Sequence, residues 1–228
     1  KTEFLMTTDE DKRRLLKNPI KGHTPKCPRY IELVGHTVTT ARGKVCTAVN
    51  KRFDKAIASA SAILTAPLQP VKKLLAITAK TIPISVYGTQ WTRPSLRRSS
   101  ALRNKIVKCI WGVFSALRCA EIVLAVLHDP TRVDPFYSGA YRAFIDAKRM
   151  LRKDPSRVAY FIETFKGQKN DVHINGPVHG LINYARQLGI RFVVKPQQVF
   201  IRTPLGALVV ICTEHQSHFQ ACIRESCR

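Results

Sequence analysis

Acidic residues are what this chain has least of, and the shortage is local. Between Asp54 and Glu121, 66 residues pass without one carboxylate, and 11 of them are Lys or Arg. Helix surfaces that face only water alternate the two signs, because Glu–Lys pairs one turn apart support the helix and keep it soluble. A stretch of one sign cannot be held that way. Over the whole chain 38 cations face 15 acids, a formal charge of +23. Self-repulsion on that scale opposes compaction unless something anionic lies alongside. Nucleic acid is the first class of partner this implies, and an acidic membrane surface the second.

Other absences narrow the choice. No uncharged apolar run approaches the ~18–20 residues of a membrane-spanning helix. The longest bland stretch, "AIASASAILTAPLQPV", is rich in Ser and Ala and broken by Pro67 and Pro70. No secretory pattern opens the chain. There is no phosphate-binding glycine loop, no Ser or Cys in a nucleophile elbow and no CxxC pair. The acids cluster only at Asp9-Glu10-Asp11, after two threonines and before "KRRLL", where a solvated turn or helix start is the natural reading. No catalytic constellation, cofactor or small-molecule substrate is therefore called for. Seven cysteines scattered over 228 residues favour a reducing compartment over a disulfide framework. At 45% hydrophobic composition the chain can bury a core, as one large domain or two small ones.

Hydropathy patterning gives the organisation. Residues 1 to about 26 read as a strand end, an acidic turn and a basic segment, and "RYIELVGHTVTT" as a strand broken at Gly35. From Lys44 the spacing predicts a helix, with Val49, Phe53, Ile57, Ala60, Ile63 and Leu64 recurring at three and four until Pro67. A second helix is expected over Val71–Lys80, ended by Pro83. A long one runs from Ser95 to His128, broken near Gly112 to Arg118. "HDPTRVDP" reads as a turn, because proline disfavours helical backbone in the residue before it. A helix resumes over Tyr137–Arg152. In the last third, "NGPVHGLINYARQLGI" is a short helix with Gly189 at its end. "RFVVK", "QVFIRT" and "ALVVICT" make a small sheet of hairpins, and Thr213–Cys227 closes as a helix. The expected fold class is α+β: a strand-containing N-terminal remnant (1–45), a mainly helical basic middle (46–155) and a small C-terminal β-hairpin and helix region (156–228).

Two groups of residues carry chemistry. Cys212, His215, His218, Cys222 and Cys227 fall within 16 residues and are of the types that hold tetrahedral zinc. Their spacing matches no common finger, and ordinary helix-face roles are the favoured reading, with Cys212, His215, His218 and Cys222 as the zinc candidates. The basic middle says more. On the helix from Ser95, Leu96, Leu102, Ile106 and Ile110 form a stripe toward a core, flanked by Arg97, Arg98, Arg103, Lys105 and Lys108 with no acid to neutralise them. Together with Lys72, Lys73, Arg93 and Arg118 these are the candidate nucleic-acid contacts. Guanidinium forks suit phosphate oxygens, and each phosphate neutralised releases counterions. Trp91 and Trp111 have rings on which bases can stack, although Trp111, on the apolar side, is expected in the core.

The order of these segments resembles a known family. "KTEFLMTT" is similar to the stretch that follows the catalytic aspartates of non-LTR (LINE-type) retrotransposon reverse transcriptases. "YIELVGHTV" looks like a later palm strand, with Leu33-Val34-Gly35 where that strand usually reads tyrosine-leucine-glycine. The segment from Lys51 to Gly112 is similar to the helical thumb side, through a lysine-rich helix, Tyr87-Gly88 and a Leu-Arg helix running to Trp111-Gly112. "EIVLAVLHDPTRVDP" and "GPVHGLINYARQLGI" also look like downstream segments of protist relatives. The resemblance implies a palm end plus thumb, gripping RNA through cations such as Arg103, Lys105 and Lys108. The paired aspartates of the palm would lie before Lys1. The expectation is a non-catalytic protein of a large ribonucleoprotein, an organellar (mitochondrial) ribosome first, with rRNA and neighbouring proteins as partners and an organellar matrix as location. The chain opens on Lys1, which fits removal of an import sequence or a longer parent. The alternatives are a C-terminal fragment of an active reverse transcriptase and a protein–protein module docking through the small sheet and last helix.

Overall fold

A computed structural model describes residues 9–17, 30–33, 36–39, 47–90, 94–112, 119–120, 122–126, 128–154, 156–167, 176–195 and 198–226. The "KTEFLMTT" segment, Trp91, Arg93, Arg118 and Cys227 lie outside the described residues. The Asp9-Glu10-Asp11 cluster opens α1 (Asp9–Lys17). Acids there favour the positive end of the helix dipole. The "RYIELVGHTVTT" segment forms two strands rather than one broken strand. These are β1 (Tyr30–Leu33) and β2 (His36–Thr39), an antiparallel pair with Leu33 opposite His36.

The helical middle is built on α2 (Thr47–Thr65) and α5 (Leu96–Trp111). From α2, Val49, Phe53, Ala56, Ala60 and Ile63 turn inward. The two alanines are fully buried. Their small side chains let Leu102, Ile106, Val107 and Cys109 of α5 come in close, and the Cys109 thiol reaches the Ala60 carbonyl at 3.3 Å. Ser95 caps α5 by accepting from the Arg98 amide, while the Ser95 amide donates to Asn50 of α2. Leu96, expected in the apolar stripe, is 81% exposed. It is the first residue of α5, about 120° round the helix from Leu102.

Between these helices the chain is helical from Pro70 to Val86, so Pro83 does not end it. α3 (Pro70–Ala76) passes through a π-helical turn (Ile77–Thr81) into α4 (Ile82–Val86). In a regular helix a proline ring collides with the carbonyl four residues back, and its missing N–H leaves a gap in the ladder. The wide turn, with the Ile82 amide bonded to the Ile77 carbonyl, changes the register just before the proline.

"HDPTRVDP" is likewise not a turn. It holds α6 (Pro130–Val133) and the start of α7 (Pro135–Lys153). Asp129 and Asp134 keep the extended backbone that the following proline demands, and each then caps a helix, accepting from the amides of Thr131 and Phe136. A helix for which sequence gave no expectation, α8 (Ser156–Gly167), follows. Then come α9 (Pro177–Gln187), β3 (Arg191–Lys195), β4 (Gln198–Arg202), β5 (Leu208–Val210) and α10 (Gln216–Glu225). The three strands form an antiparallel sheet in sequence order, with Phe192 opposite Ile201 and Ile201 opposite Val209. Val199, Phe200 and Ile201 of the middle strand are all buried. Phe144 of α7 packs between Phe192 and Phe219, and Phe161 and Phe165 of α8 meet Phe192 from another side. The fold is α+β, with a helical middle and a small C-terminal sheet.

Two cores result. One joins α2, α4 and α5 with Val123, Leu124 and Val133; the other joins α7 to α10 and the sheet. Because α7 belongs to the second, the cores divide near Asp134, upstream of the boundary expected at 155. They meet where residues 88–90 lie against α7 and α9. An ideal Cβ on Gly180 would sit 2.6 Å from the Gln90 carbonyl oxygen, and one on Gly139 would sit 2.7 Å from the Tyr184 hydroxyl. The Gln90 obstacle is backbone and cannot swing away. Gly180→Ala should therefore push α9 off this segment and lower stability by about 1–3 kcal/mol, read as a lower urea midpoint. An unchanged midpoint would mean that the junction is not held at this distance.

Candidate nucleic-acid interface

The nine cations picked out by sequence separate into three kinds. Arg93 and Arg118 lie outside the described residues. Three of the rest are engaged by the protein. Arg98 Nε donates to Asp54 Oδ1 at 2.7 Å, joining α5 to α2. Arg103 Nε donates to Asp134 Oδ2 at 2.6 Å, and that carboxylate is fully buried. Lys73 Nζ donates to the Leu64 carbonyl at 2.8 Å, at the C-terminal turn of α2 where a cation offsets the helix dipole. Arg98 and Arg103 are thus not the unneutralised cations that sequence implied. Their acids stand 44 and 31 residues away in the chain, and folding brings them in.

Lys72, Arg97, Lys105 and Lys108 remain, and none has a carboxylate partner among the described residues. Lys72 and Arg97 are exposed, Lys105 and Lys108 half-buried. Lys73 and Lys105 both act on Cys109, where burial nevertheless raises the thiol above its ordinary range. On the outward side of α5, Arg97, Ser100, Asn104, Lys108 and Trp111 follow one another at three and four residues, a continuous ridge over the length of the helix. Trp111 is 49% exposed and not in the core. Sequence reasoning placed it on the apolar side, yet its spacing from Asn104 and Lys108 carried the outward assignment.

Several acids elsewhere are paired, while Glu225 Oε2 is buried with no hydrogen-bond partner among the described residues. Asp129 receives Arg224 Nη2 at 2.7 Å and Arg132 at 3.6 Å, Asp146 receives Arg142 and Arg149, and Asp154 receives Arg157. Burial works against the Asp129 charge, but Arg224 and the Thr131 hydroxyl and amide outweigh it and hold the carboxyl below its usual range. In these pairs the cation is always arginine, whose fork fits a carboxylate. No lysine pairs with a carboxylate among the described residues. Arg52, not singled out by sequence, also works internally, donating to the Tyr87 carbonyl and lying 4.4 Å over the Tyr87 ring.

The zinc candidates do not converge. Cys222 turns into the second core, and its thiol is pushed up to about 11 by burial, with Glu225 and Glu214 adding to the shift. Burial thus favours its protonated form. Cys212 is half-buried, and burial raises its thiol as well. His215 caps α10 through Ser217, and His218 bonds Glu214. Among the described residues no three His, Cys, Asp or Glu side chains form a metal-sized group. A cleft of about 330 Å³ opens between α7, α8 and α9, lined by Gln90, Asp146, Arg157, Phe161 and Leu181 among others, and contains none of the residues expected from sequence. No helix among the described residues is long and apolar enough to cross a membrane.

Compared with known proteins, the chain matches no family model, no curated protein and no solved structure.

Asp134 separates the structural arginine from the others. Burial pushes its carboxyl above the usual carboxylate range, opposed by Arg103 and the Phe136 and Tyr137 amides. Removing the cation with Arg103→Met leaves a buried, unpaired charge, which should cost about 3–5 kcal/mol at pH 7. A carboxyl raised in the folded state binds more protons folded than unfolded, so its penalty shrinks as pH falls toward the unfolded value of about 4. Urea titrations should show the Arg103→Met deficit largest at pH 7 and smaller at pH 5. Arg97→Gln, with no carboxylate to abandon, should stay within about 0.5 kcal/mol at both. Equal deficits for the two variants would contradict this division.

Proposed function

We propose that this chain is a non-catalytic RNA-binding component of a large ribonucleoprotein, gripping RNA with the acid-free surface of α5 and α3. The observation that carries the reading is the arrangement of charge. Over the span from Thr47 to Trp111 the one carboxylate is Asp54, and it is bonded to Arg98. Lys72, Arg97, Lys105 and Lys108 are left without a carboxylate partner among the described residues. RNA phosphates supply that charge, and they recognise such a face by shape and spacing more than by base sequence.

An organellar ribosome is the particle we favour, since rRNA tolerates a net charge of +23 by neutralising it. Descent from a reverse-transcriptase thumb belongs to the same proposal and rests on the sequence segments quoted above. Neighbouring proteins have a place to bind as well. α3 buries no residue, and Val71 and Leu75, one turn apart, are 67% and 62% exposed.

The test replaces Lys72, Arg97, Lys105 and Lys108 by Gln together and leaves Arg98 and Arg103 in place. Affinity for a structured RNA should fall, and the plot of log K against log salt should flatten by about 0.7–0.9 for each phosphate no longer neutralised. The urea midpoint should not move. Unchanged affinity and slope would overturn the reading in favour of protein contacts. For the particle, native protein in cell extract should sediment with ribosome-sized material and leave it after ribonuclease. Sedimentation as a small free species would overturn the assignment to a large ribonucleoprotein.

A further inference from the structure

The indole at the end of α5 is 49% exposed, and its surroundings point to what covers the rest of it. Trp111 is the last residue of the helix. Gly112 follows with φ of +107°, a backbone that only glycine adopts readily, and its amide closes the helix on the Lys108 carbonyl. The core positions Ile106 and Cys109 point the other way, while Val107, also buried, stands one turn before Trp111. Leaving about half of so large a ring in water forfeits burial that a small residue would not miss. A protein partner is a poor match for this ridge, because Lys108 stands one turn from the ring, Arg97 and Asn104 lie further along the same face and α5 carries no acid. A π-face bordered by phosphates suits all of these groups.

We propose that Trp111 stacks on an unpaired RNA base, with Lys108 on the adjacent phosphate and Arg97 on a phosphate further along the strand. This rests on the RNA-binding reading and narrows it from RNA in general to a single-stranded, looped or bulged element. The spacing is suitable: Lys108 lies about 4.5 Å along the helix axis from Trp111, and Arg97 about 21 Å. In a continuous duplex both faces of each base are covered by its neighbours, so the indole has nothing to stack on. An unpaired base offers a free face, and every base has one. The exposed amide of Asn104, between the two cations, can donate to or accept from the edge of a neighbouring base.

The experiment measures binding of the full chain to an RNA hairpin with an unpaired loop and to a blunt duplex of the same length. Wild type, Trp111→Ala and Trp111→Phe are compared. Trp111→Ala should weaken hairpin binding about 5- to 150-fold, the range for one stacked base. It should leave duplex binding unchanged, and Trp111→Phe should keep most of the hairpin affinity. In a Trp91→Phe background the remaining fluorescence should be quenched by the hairpin and not by the duplex. Equal effects of Trp111→Ala on both RNAs, no effect on either, or no quenching would overturn the stacking while leaving RNA binding in place. A wild-type chain that binds neither RNA would overturn the RNA reading itself. Because Trp111 is exposed, the variants keep the wild-type urea midpoint; a lowered midpoint would show that the ring supports the fold and would count against the proposal.

Discussion

One buried carboxylate organises the meeting of the two halves. Asp134 ends the helical middle, caps α7 through the Phe136 amide and receives Arg103 from the middle of α5. A charge without solvent is costly unless every lone pair finds a donor, and here an arginine and backbone amides supply them. The position of α5 relative to the second core follows from that bond. The junction nearby is set by absences of side chain, at Gly139 and Gly180, where the segment 88–90 lies against the helices.

The same constraint decides which cations are left over. With 15 acids for 38 Lys and Arg, most cations have no partner to find. The acids go to arginine at Asp54, Asp129, Asp134, Asp146 and Asp154, fixing helix to helix or closing a cap. Lysine, with its flexible stem and compact, well-hydrated charge, loses little by staying in water until a polyanion arrives. The surplus then becomes a surface property that folding leaves intact. This is why the acid-free span matters more than the total charge: elsewhere in the chain acids and arginines answer one another locally, as Asp146 does with Arg142 and Arg149.

Much of the fold was legible in the sequence. The three-and-four spacing of Val49, Phe53, Ala60 and Ile63 marked α2, and three β-branched runs marked the C-terminal sheet, because local period reflects which face is buried. The errors were of two kinds. Prolines were read as terminators, yet Pro130 and Pro135 begin helices and Pro83 is absorbed by a wide turn, choices that depend on capping and register rather than on the residue alone. The candidate site was half legible. That α5 is basic was plain. That Arg98 and Arg103 are claimed by distant acids was not, since those pairs exist only after folding. The exposure of Trp111 could have been found by its spacing from Asn104 and Lys108.

The central claim is that RNA covers the outward face of α5. Ultraviolet crosslinking of the native particle, followed by mass spectrometry of nucleotide-bearing peptides, reads this directly. The account predicts adducts concentrated within Leu96–Trp111. Adducts confined to other segments, or an RNA-free protein, would contradict it.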